Sequence, residues 1–321
     1  MSDSDVTSCW VMTDGKAGME SQCLGLAEAL GVAPQIKRIQ PRFPWSRLPP
    51  QLWALPLCGL SPDGDRLAPP WPDLLIATGR ATVAPALAIK RRSPSTVAVQ
   101  IQNPRAALAR FDLIIAPAHD QMTGSNILET TGALHRVTPE RLEAATTEFR
   151  DRFASLPRPL IGVLIGGANR QYRMSAANAD RLGSLLAAAA KASGGGLAIT
   201  PSRRTGSDNL KRIAAPLAAT AADMDIWDGS GENPYFGILA LADALIVTSD
   251  SVNMVTEACA TGKPVHVFDL DGGSAKFARF HDALRRKGMT RPFTGDLDDW
   301  SYPPPDDMAR AAAAVRTLLA R

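Results

Sequence analysis

Two doubly wound Rossmann-like α/β domains facing a cleft are the fold this sequence predicts. Three observations predict it. Short apolar runs bounded by turn residues alternate with longer helix-patterned stretches, as in parallel sheets covered on both faces. The alternation breaks at Leu156-Pro157-Arg158-Pro159 and then restarts. A length of 321 residues exceeds what one hydrophobic core usually fills.

In the first half, strands are expected at 9–13, 35–39, 73–78, 96–101, 111–116 and 126–131, with helices over 19–30 and 83–92. A helix over 139–154 follows, with Pro139 at a favoured first-turn position. In the second half, strands at 160–165, 197–200, 225–227, 244–248 and 265–270 alternate with helices over 176–193, 208–219, 235–242, 252–261 and 275–287. The last helix, 306–319, is rich in alanine. Taking the proline-rich stretch as the linker gives an N-terminal domain at 1–156 and a C-terminal domain at 157–305. Residues 306–321 are expected to pack back towards the N-terminal domain.

Composition narrows the function classes. Hydrophobic residues make up 45% of the chain and charged residues 21%, enough apolar material for two cores. A net charge of +3 is too small to imply a nucleic-acid partner. No early basic-then-apolar segment resembles a signal peptide, and no apolar run approaches membrane-spanning length. Cys9, Cys23, Cys58 and Cys259 lack CxxC spacing, so reduced thiols in a cytoplasmic protein are expected. His119, His135, His266 and His281 show no metal-ligand spacing with one another or with the cysteines, and no metal is expected.

The richest stretch is 243–270, DALIVTSDSVNMVTEACATGKPVHVFDL. It reads as strand, polar turn (Ser249, Asp250, Ser251), short helix, Gly262 stop and second strand. Ser251 suits an N-cap, and the helix start then lies at the carboxyl end of a strand, where free N–H groups favour a phosphate. Glu257 on that helix can accept hydrogen bonds from sugar or ribose hydroxyls. Together these suggest a nucleotide-sugar site, although many strand–turn–helix units bind nothing.

Other loops after strand ends carry further candidates. Asp14, Gly15, Lys16 and Gly18 precede the first helix; the glycines permit close backbone approach, Lys16 can neutralise an anion and Asp14 can act as a base. This is not a Walker A loop. Gly79 and Arg80 can frame a ligand, or Arg80 can pair with a surface carboxylate. His119 beside Asp120 can serve as a general base, and His135 follows on a neighbouring loop. In the second half, Gly167, Asn169 and Arg170 can admit a diphosphate, as can Ser202 with the paired Arg203 and Arg204, a solvated charged loop being the plain alternative. Glu232 and Asn233, with Tyr235 and Phe236, suit a sugar or base, with helix capping as the plain alternative. Residues 40–73 are rich in Pro, Trp and Leu and interleave Arg42 and Arg47 with Phe43 and Trp45. That suits a membrane contact or lipid-linked acceptor, or a loop packed on its own domain.

Taken together, CWVMTDGKAG (9–18), QIQNPR (100–105), GALHRVTP (132–139), GENPYF (231–236) and the stretch 249–264 resemble the mitochondrial-fission "elongated mitochondria" family. The resemblance covers nearly the whole chain. It implies a GT-B-like fold, similar to two-domain nucleotide-sugar glycosyltransferases and nucleotide-sugar epimerases. By that likeness Glu257 binds the donor ribose or sugar, and the turn 249–251 lies near the diphosphate. The turn carries Asp250 and Asn253 where such enzymes are glycine-rich.

The expected function is glycosyl transfer from a nucleotide-diphosphate sugar, without a metal or other cofactor, to an acceptor that is lipid-linked or envelope-related. Gly167, Asn169, Arg170, Ser202, Arg203, Glu232, Asn233, Ser249, Asp250, Ser251 and Glu257 are expected on the donor side. Gly15, Lys16, Gly18, Gly79, Arg80 and His135 are expected on the acceptor side, with Asp14 or His119 as the base. The expected location is cytoplasmic, with a peripheral position at the inner face of a membrane through residues 40–70 left open. Epimerisation or hydrolysis on the same fold is one alternative, and a non-catalytic membrane-associated adaptor in membrane fission or remodelling is another.

Overall fold

The computed structural model describes residues 8–321; residues 1–7, with which the expected N-terminal domain begins, lie outside the described residues. The chain divides into two compact units, residues 1–136 with 306–321 and residues 137–305.

The first unit holds a six-stranded parallel sheet built from β1 (Cys9–Thr13), β2 (Gln35–Arg38), β3 (Leu74–Thr78), β4 (Val97–Ile101), β5 (Leu113–Pro117) and β6 (Ile127–Thr130). Its strand order is β2-β1-β3-β4-β5-β6. Side-chain alternation splits the core cleanly. Cys9, Val11, Leu74, Ile76, Val99 and Ile101 face one side, packing on Cys23, Leu26 and Ala27 of α1 (Ala17–Leu30) and on Ala311 and Val315 of the C-terminal helix (Asp307–Leu319). Trp10, Met12, Leu75, Ala77 and Ala98 face the other, against Val83, Ala86, Leu87 and Ile89 of α2 (Arg80–Arg92). Burial on both faces is why these strands read as continuous apolar runs.

The C-terminal helix is fixed by Asp307, which accepts from the Thr131 amide at 2.7 Å. Residues 40–73 fold on their own unit. Trp45 Nε1 donates to the Ala54 carbonyl at 2.8 Å and Trp53 Nε1 to that of Leu48 at 3.1 Å.

The second unit opens with α3 (Pro139–Phe153), capped by Thr138 and started by Pro139. The sequence boundary at 156 puts this helix in the first domain, whereas its buried face, Ala145, Phe149 and Phe153, belongs to the core of the second. A methyl added at Gly237 would meet Phe149 at 2.5 Å, so a glycine on the facing helix is what lets the ring in.

The second sheet is built from β7 (Leu160–Ile165), β9 (Gly196–Pro201), β10 (Met224–Ile226), β11 (Ala244–Thr248), β12 (Val265–Phe268) and β14 (Thr290–Pro292), all parallel, in the order β10-β9-β7-β11-β12-β14. A two-stranded antiparallel ribbon pairs β8 (Tyr172–Arg173) with β13 (Asp271–Gly272). Helices α4 (Ala176–Ser193) and α5 (Ser207–Ala219) cover one face. On the other lie α3, α6 (Tyr235–Leu241), α7 (Val252–Cys259) and α8 (Ala275–Arg286). The strand order reverses between β7 and β11, and in open parallel sheets ligands bind at that reversal, beyond the carboxyl ends. Among the described residues no helix is long and apolar enough to cross a membrane.

Assignment of α3 is directly testable. Residues 137–305 produced alone should melt cooperatively, whereas 157–305 should not, because the face that α3 covers would be exposed. In the full chain, Phe149→Ala should cost about 3–5 kcal/mol by chemical denaturation.

Candidate functional site

At the reversal in the second unit, three strand-end loops meet on one carboxylate. Asp250, 3% exposed, follows β11. Its Oδ2 accepts from the Gly167 amide at 3.0 Å, and its Oδ1 accepts from the Thr248 hydroxyl at 2.7 Å. Arg204, in the loop after β9, completes the site with an ion pair to Asp250 at 2.9 Å. The fit leaves no space: a methyl on Gly166 would collide with the Asp250 carboxylate, and one on Gly167 with the Arg204 backbone. Ser202 Oγ and Thr205 Oγ1 both donate to the Gly166 carbonyl, at 2.8 and 2.5 Å.

This geometry changes the roles expected of several residues. The Gly167 amide is spent on Asp250, so this glycine shapes the loop rather than offering an N–H to a diphosphate. Asp250 points into the protein, which removes the repulsion a carboxylate beside a phosphate would cause. Asn169 donates to the Asp250 carbonyl at 3.1 Å and accepts from the amides of Gln171 and Tyr172. Ser249 is 1% exposed, with its Oγ accepting from the Leu270 amide at 3.1 Å and its carbonyl meeting His281 Nε2 at 2.9 Å. These side chains build the rim. Arg170 and Arg203 are exposed on it.

Ser251 caps α7, its Oγ accepting from the Met254 amide at 3.3 Å. Further along that helix Glu257 is 8% exposed and accepts a hydrogen bond from the Tyr235 hydroxyl. Burial pushes its carboxyl from the usual range up to about 7, against the opposing effect of the Tyr235 hydrogen bond. Burial also raises the Tyr235 phenol, so the proton stays on the tyrosine. Tyr235 opens α6, where Asn233 Oδ1 accepts from its amide at 3.1 Å and from the Thr200 hydroxyl at 3.4 Å. Glu232 is exposed and within hydrogen-bonding reach of Glu148, whose carboxyl it holds above its ordinary range. The other end of α6 is closed by Lys263, which donates to the carbonyls of Leu239 and Ala240.

In the first unit the strand order reverses between β1 and β3. Two expected loops follow these strands. Asp14 forms an ion pair with Lys16, and the Gly15 amide donates to Thr13 Oγ1 at 2.7 Å. Gly18 lies in the first turn of α1, its carbonyl accepting from Gln22 Nε2 at 3.2 Å. Gly79, with φ +83°, sits where a methyl would reach Met19 Sδ at 3.0 Å. Arg80 does not face this loop; its guanidinium donates to the carbonyls of Leu48 at 2.7 Å and Arg47 at 3.2 Å, tying down residues 40–73. His119 and His135 are each 6% exposed. The backbone of His135 lies against Gly25 of α1.

The sequence singles out the loops that carry Arg204 and Tyr235 but not their pairing with Asp250 and Glu257. Asp271, which accepts from the Ser175 hydroxyl at 2.7 Å, escapes it.

The chain belongs to the mitochondrial fission ELM1 family, whose model matches residues 17–319. It is 38% identical over 277 residues to the mitochondrial fission protein ELM1 of Arabidopsis thaliana, with 78% of this chain and 64% of that protein covered. It thus spans under two thirds of the plant relative's length. An uncharacterized Rickettsia prowazekii protein is 27% identical over 288 residues, with 77% of this chain and 80% of that protein covered. Among solved structures, a Listeria monocytogenes protein described as a UDP-N-acetylglucosamine 2-epimerase matches with a TM-score of 0.53 at 11% identity, covering 98% of this chain and 96% of that one. Acinetobacter baumannii MurG matches with a TM-score of 0.50 at 14% identity, covering 89% and 85%. The fold is therefore GT-B-like.

Two outcomes follow from the geometry. Asp250→Ala leaves Arg204, the Gly167 amide and the Thr248 hydroxyl without their partner and should cost about 3 kcal/mol by urea denaturation. For Glu257, a carboxyl held to about 7 in the folded chain, against 4.5 as its ordinary value, binds more protons folded than unfolded between those limits. Its contribution is present below the ordinary value and lost as pH rises through 7. Buried His266 and His281, both lowered, act in the opposite sense, so the difference between variant and parent isolates the carboxyl. Relative to Glu257→Gln, the parent should lose about 3 kcal/mol of stability between about pH 5 and about pH 8.

Proposed function

We propose that this chain binds a nucleotide-diphosphate sugar in its second unit and transfers the sugar, without a divalent metal, to a lipid-linked or envelope-related acceptor. The observation that carries this reading is the grouping at the β7–β11 reversal. The capped start of α7, the exposed Arg170 and Arg203, and a buried carboxyl that titrates near neutrality belong to consecutive loops and helices at the carboxyl ends of β7, β9 and β11. Asp250 neutralises Arg204 internally, so the charge offered outward comes from Arg170 and Arg203.

In this reading the first-turn amides of α7 and the two arginines receive the diphosphate. Glu257 hydrogen-bonds a ribose or sugar hydroxyl, while it continues to accept from Tyr235. The acceptor oxygen bonds to the anomeric carbon as the bond to the diphosphate breaks. The electron pair leaves on the diphosphate, where arginines and helix amides stabilise it. Asp14 takes the acceptor proton; His119, at 6% exposure, is the less accessible base.

The plant relative's name, a mitochondrial fission protein, supports a second reading: an adaptor that keeps the fold without transferring sugar. Product analysis separates the readings. Epimerised or hydrolysed donor formed without acceptor would assign the same site to those reactions.

A panel of nucleotides and nucleotide-sugars should raise Tm by about 5–10 °C at a hundredfold excess over Kd for the true donor. Arg170→Gln with Arg203→Gln, and separately Glu257→Ala, should abolish the shift. Asp14→Asn should retain it while lowering turnover about a hundredfold or more. A shift unaffected by either second-unit substitution would place the ligand elsewhere.

A further inference from the structure

Large exposed apolar side chains are concentrated in one part of the first unit. Among the described residues they are Phe43, Leu52, Leu55 and Leu108, with Phe43 73% exposed and Leu55 69%. Three of the four lie in the stretch after β2. The fourth belongs to the turn after β4, which is tied to the first stretch by Gln51 donating to the Arg105 carbonyl at 3.1 Å.

A cavity of about 370 Å³ opens between these two stretches and α2. Its walls include Trp53, Val83, Leu87 and Ala106, and its charged lining residues are Arg91 and Arg110. An adjoining space of about 310 Å³ shares Leu87, Arg91 and Arg110 and adds Lys90. Among the described residues no acidic side chain lines either. Among the described residues Arg91 and Arg110 make no ion pair, whereas Lys90 is paired with Asp112 at 2.8 Å.

Charge along the sequence is segregated in the same way. Residues 40–62 contain Arg42 and Arg47 and no Asp or Glu. Residues 74–111 contain Arg80, Lys90, Arg91, Arg92, Arg105 and Arg110, again with no acidic residue. These basic residues exceed the whole chain's net charge of +3, so the remainder is acidic. A surface bearing unpaired guanidiniums, exposed Phe and Leu, and an apolar cavity beside them has the complementarity of an anionic amphiphile.

We propose that this face of the first unit binds a bilayer containing anionic phospholipid, with one acyl chain entering the cavity beside Trp53 and Leu87 and its phosphate held by Arg91 and Arg110. Phe43, Leu52, Leu55 and Leu108 insert among the neighbouring chains. Arg42 and Arg47, stacked over Trp45 and Phe43 at 5.4 and 5.9 Å, lie at headgroup level. The inference is independent of sugar transfer and stands whether or not the second unit is catalytic.

The test is flotation of the full chain with vesicles of phosphatidylcholine alone or mixed with phosphatidylglycerol, alongside Trp fluorescence with lipids brominated on the acyl chain. Binding is expected only with the anionic mixture, weakening in high salt. Brominated chains should quench a component of emission that is missing in Trp53→Phe. Arg91→Gln with Arg110→Gln should weaken binding roughly tenfold or more. Leu52→Ser with Leu55→Ser should do the same, with Leu55→Ser alone as the variant if the pair fails to fold. Binding unaffected by the arginine changes, or without quenching of Trp53, would overturn the proposal. So would competition by glycerol phosphate equal to that of the vesicles, which would mark a soluble phosphate site. If the leucine changes convert a dimer to a monomer and leave flotation unchanged, the face is an interface between copies and the proposal fails.

Discussion

Everything at the carboxyl edge of the second sheet depends on one buried carboxylate. Asp250 accepts from the loop after β7, from the hydroxyl at the end of its own strand, and from Arg204 after β9. A charge with 0% side-chain exposure is tolerable only when every part of its desolvation is answered, and here a backbone amide, a hydroxyl and a guanidinium answer it. The two glycines exist for the same reason, because any Cβ at Gly166 or Gly167 would occupy the space that Asp250 and the Arg204 backbone need. An internal anion therefore sets the shape of this rim.

With the rim fixed, the features that the proposed donor site relies on lie on α7. Its Ser251 cap and its Glu257 are six residues apart on one rigid element, so the helix start and the buried carboxyl are positioned by the same packing. Val255, Ala258 and Cys259, fully buried on this helix, anchor it against β11 and β12. Tyr235 reaches Glu257 from a helix held at both ends, by Asn233 at the start and Lys263 at the finish. Burial lowers the Lys263 ammonium to about 8, and the carbonyls it caps account for its place in the interior. The raised Glu257 carboxyl is thus a consequence of helix packing, and mutations that loosen α6 or α7 will let it return towards ordinary acidity.

Much of this was legible in the sequence, and what was not has identifiable causes. Strands β1, β7 and β11 could be read to the residue because burial on both faces leaves nothing but apolar runs between turn signals. Ser251 and Pro139 announce their helices by the chemistry of helix starts, which is local. The placement of α3 was not local. The proline pair after it looks like a domain linker, but the deciding contact is Phe149 against Gly237, nearly ninety residues away. Likewise β14 carries Arg and Pro in three residues and shows no strand pattern; parallel pairing with β12 alone defines it. At the site, sequence spacing identified the loops but not the direction of their side chains. Asp250 read as a donor-side residue and is an internal partner, while Arg80 read as a ligand contact and is a tether for residues 40–73.

That tether bears on why residues 40–73 defied pattern reading. The stretch has no sheet to alternate against and no helix long enough to show a period, so its fold rests on backbone turns, on indole and guanidinium donors meeting backbone carbonyls, and on Leu57, Leu60, Leu67 and Trp71 packed against the core. Such a scaffold does not require every leucine and phenylalanine to turn inward, because backbone and side-chain polar bonds share in holding the shape. In a sheet the same side chains would have been drawn into a core by the register itself. Such a loop leaves part of its apolar side chains at the surface, and among the described residues three of the four exposed large ones lie there. The second unit takes the opposite course, committing its polar side chains to one another around Asp250. Fold likeness alone would not separate these two arrangements; the partners that the polar side chains take in each unit do.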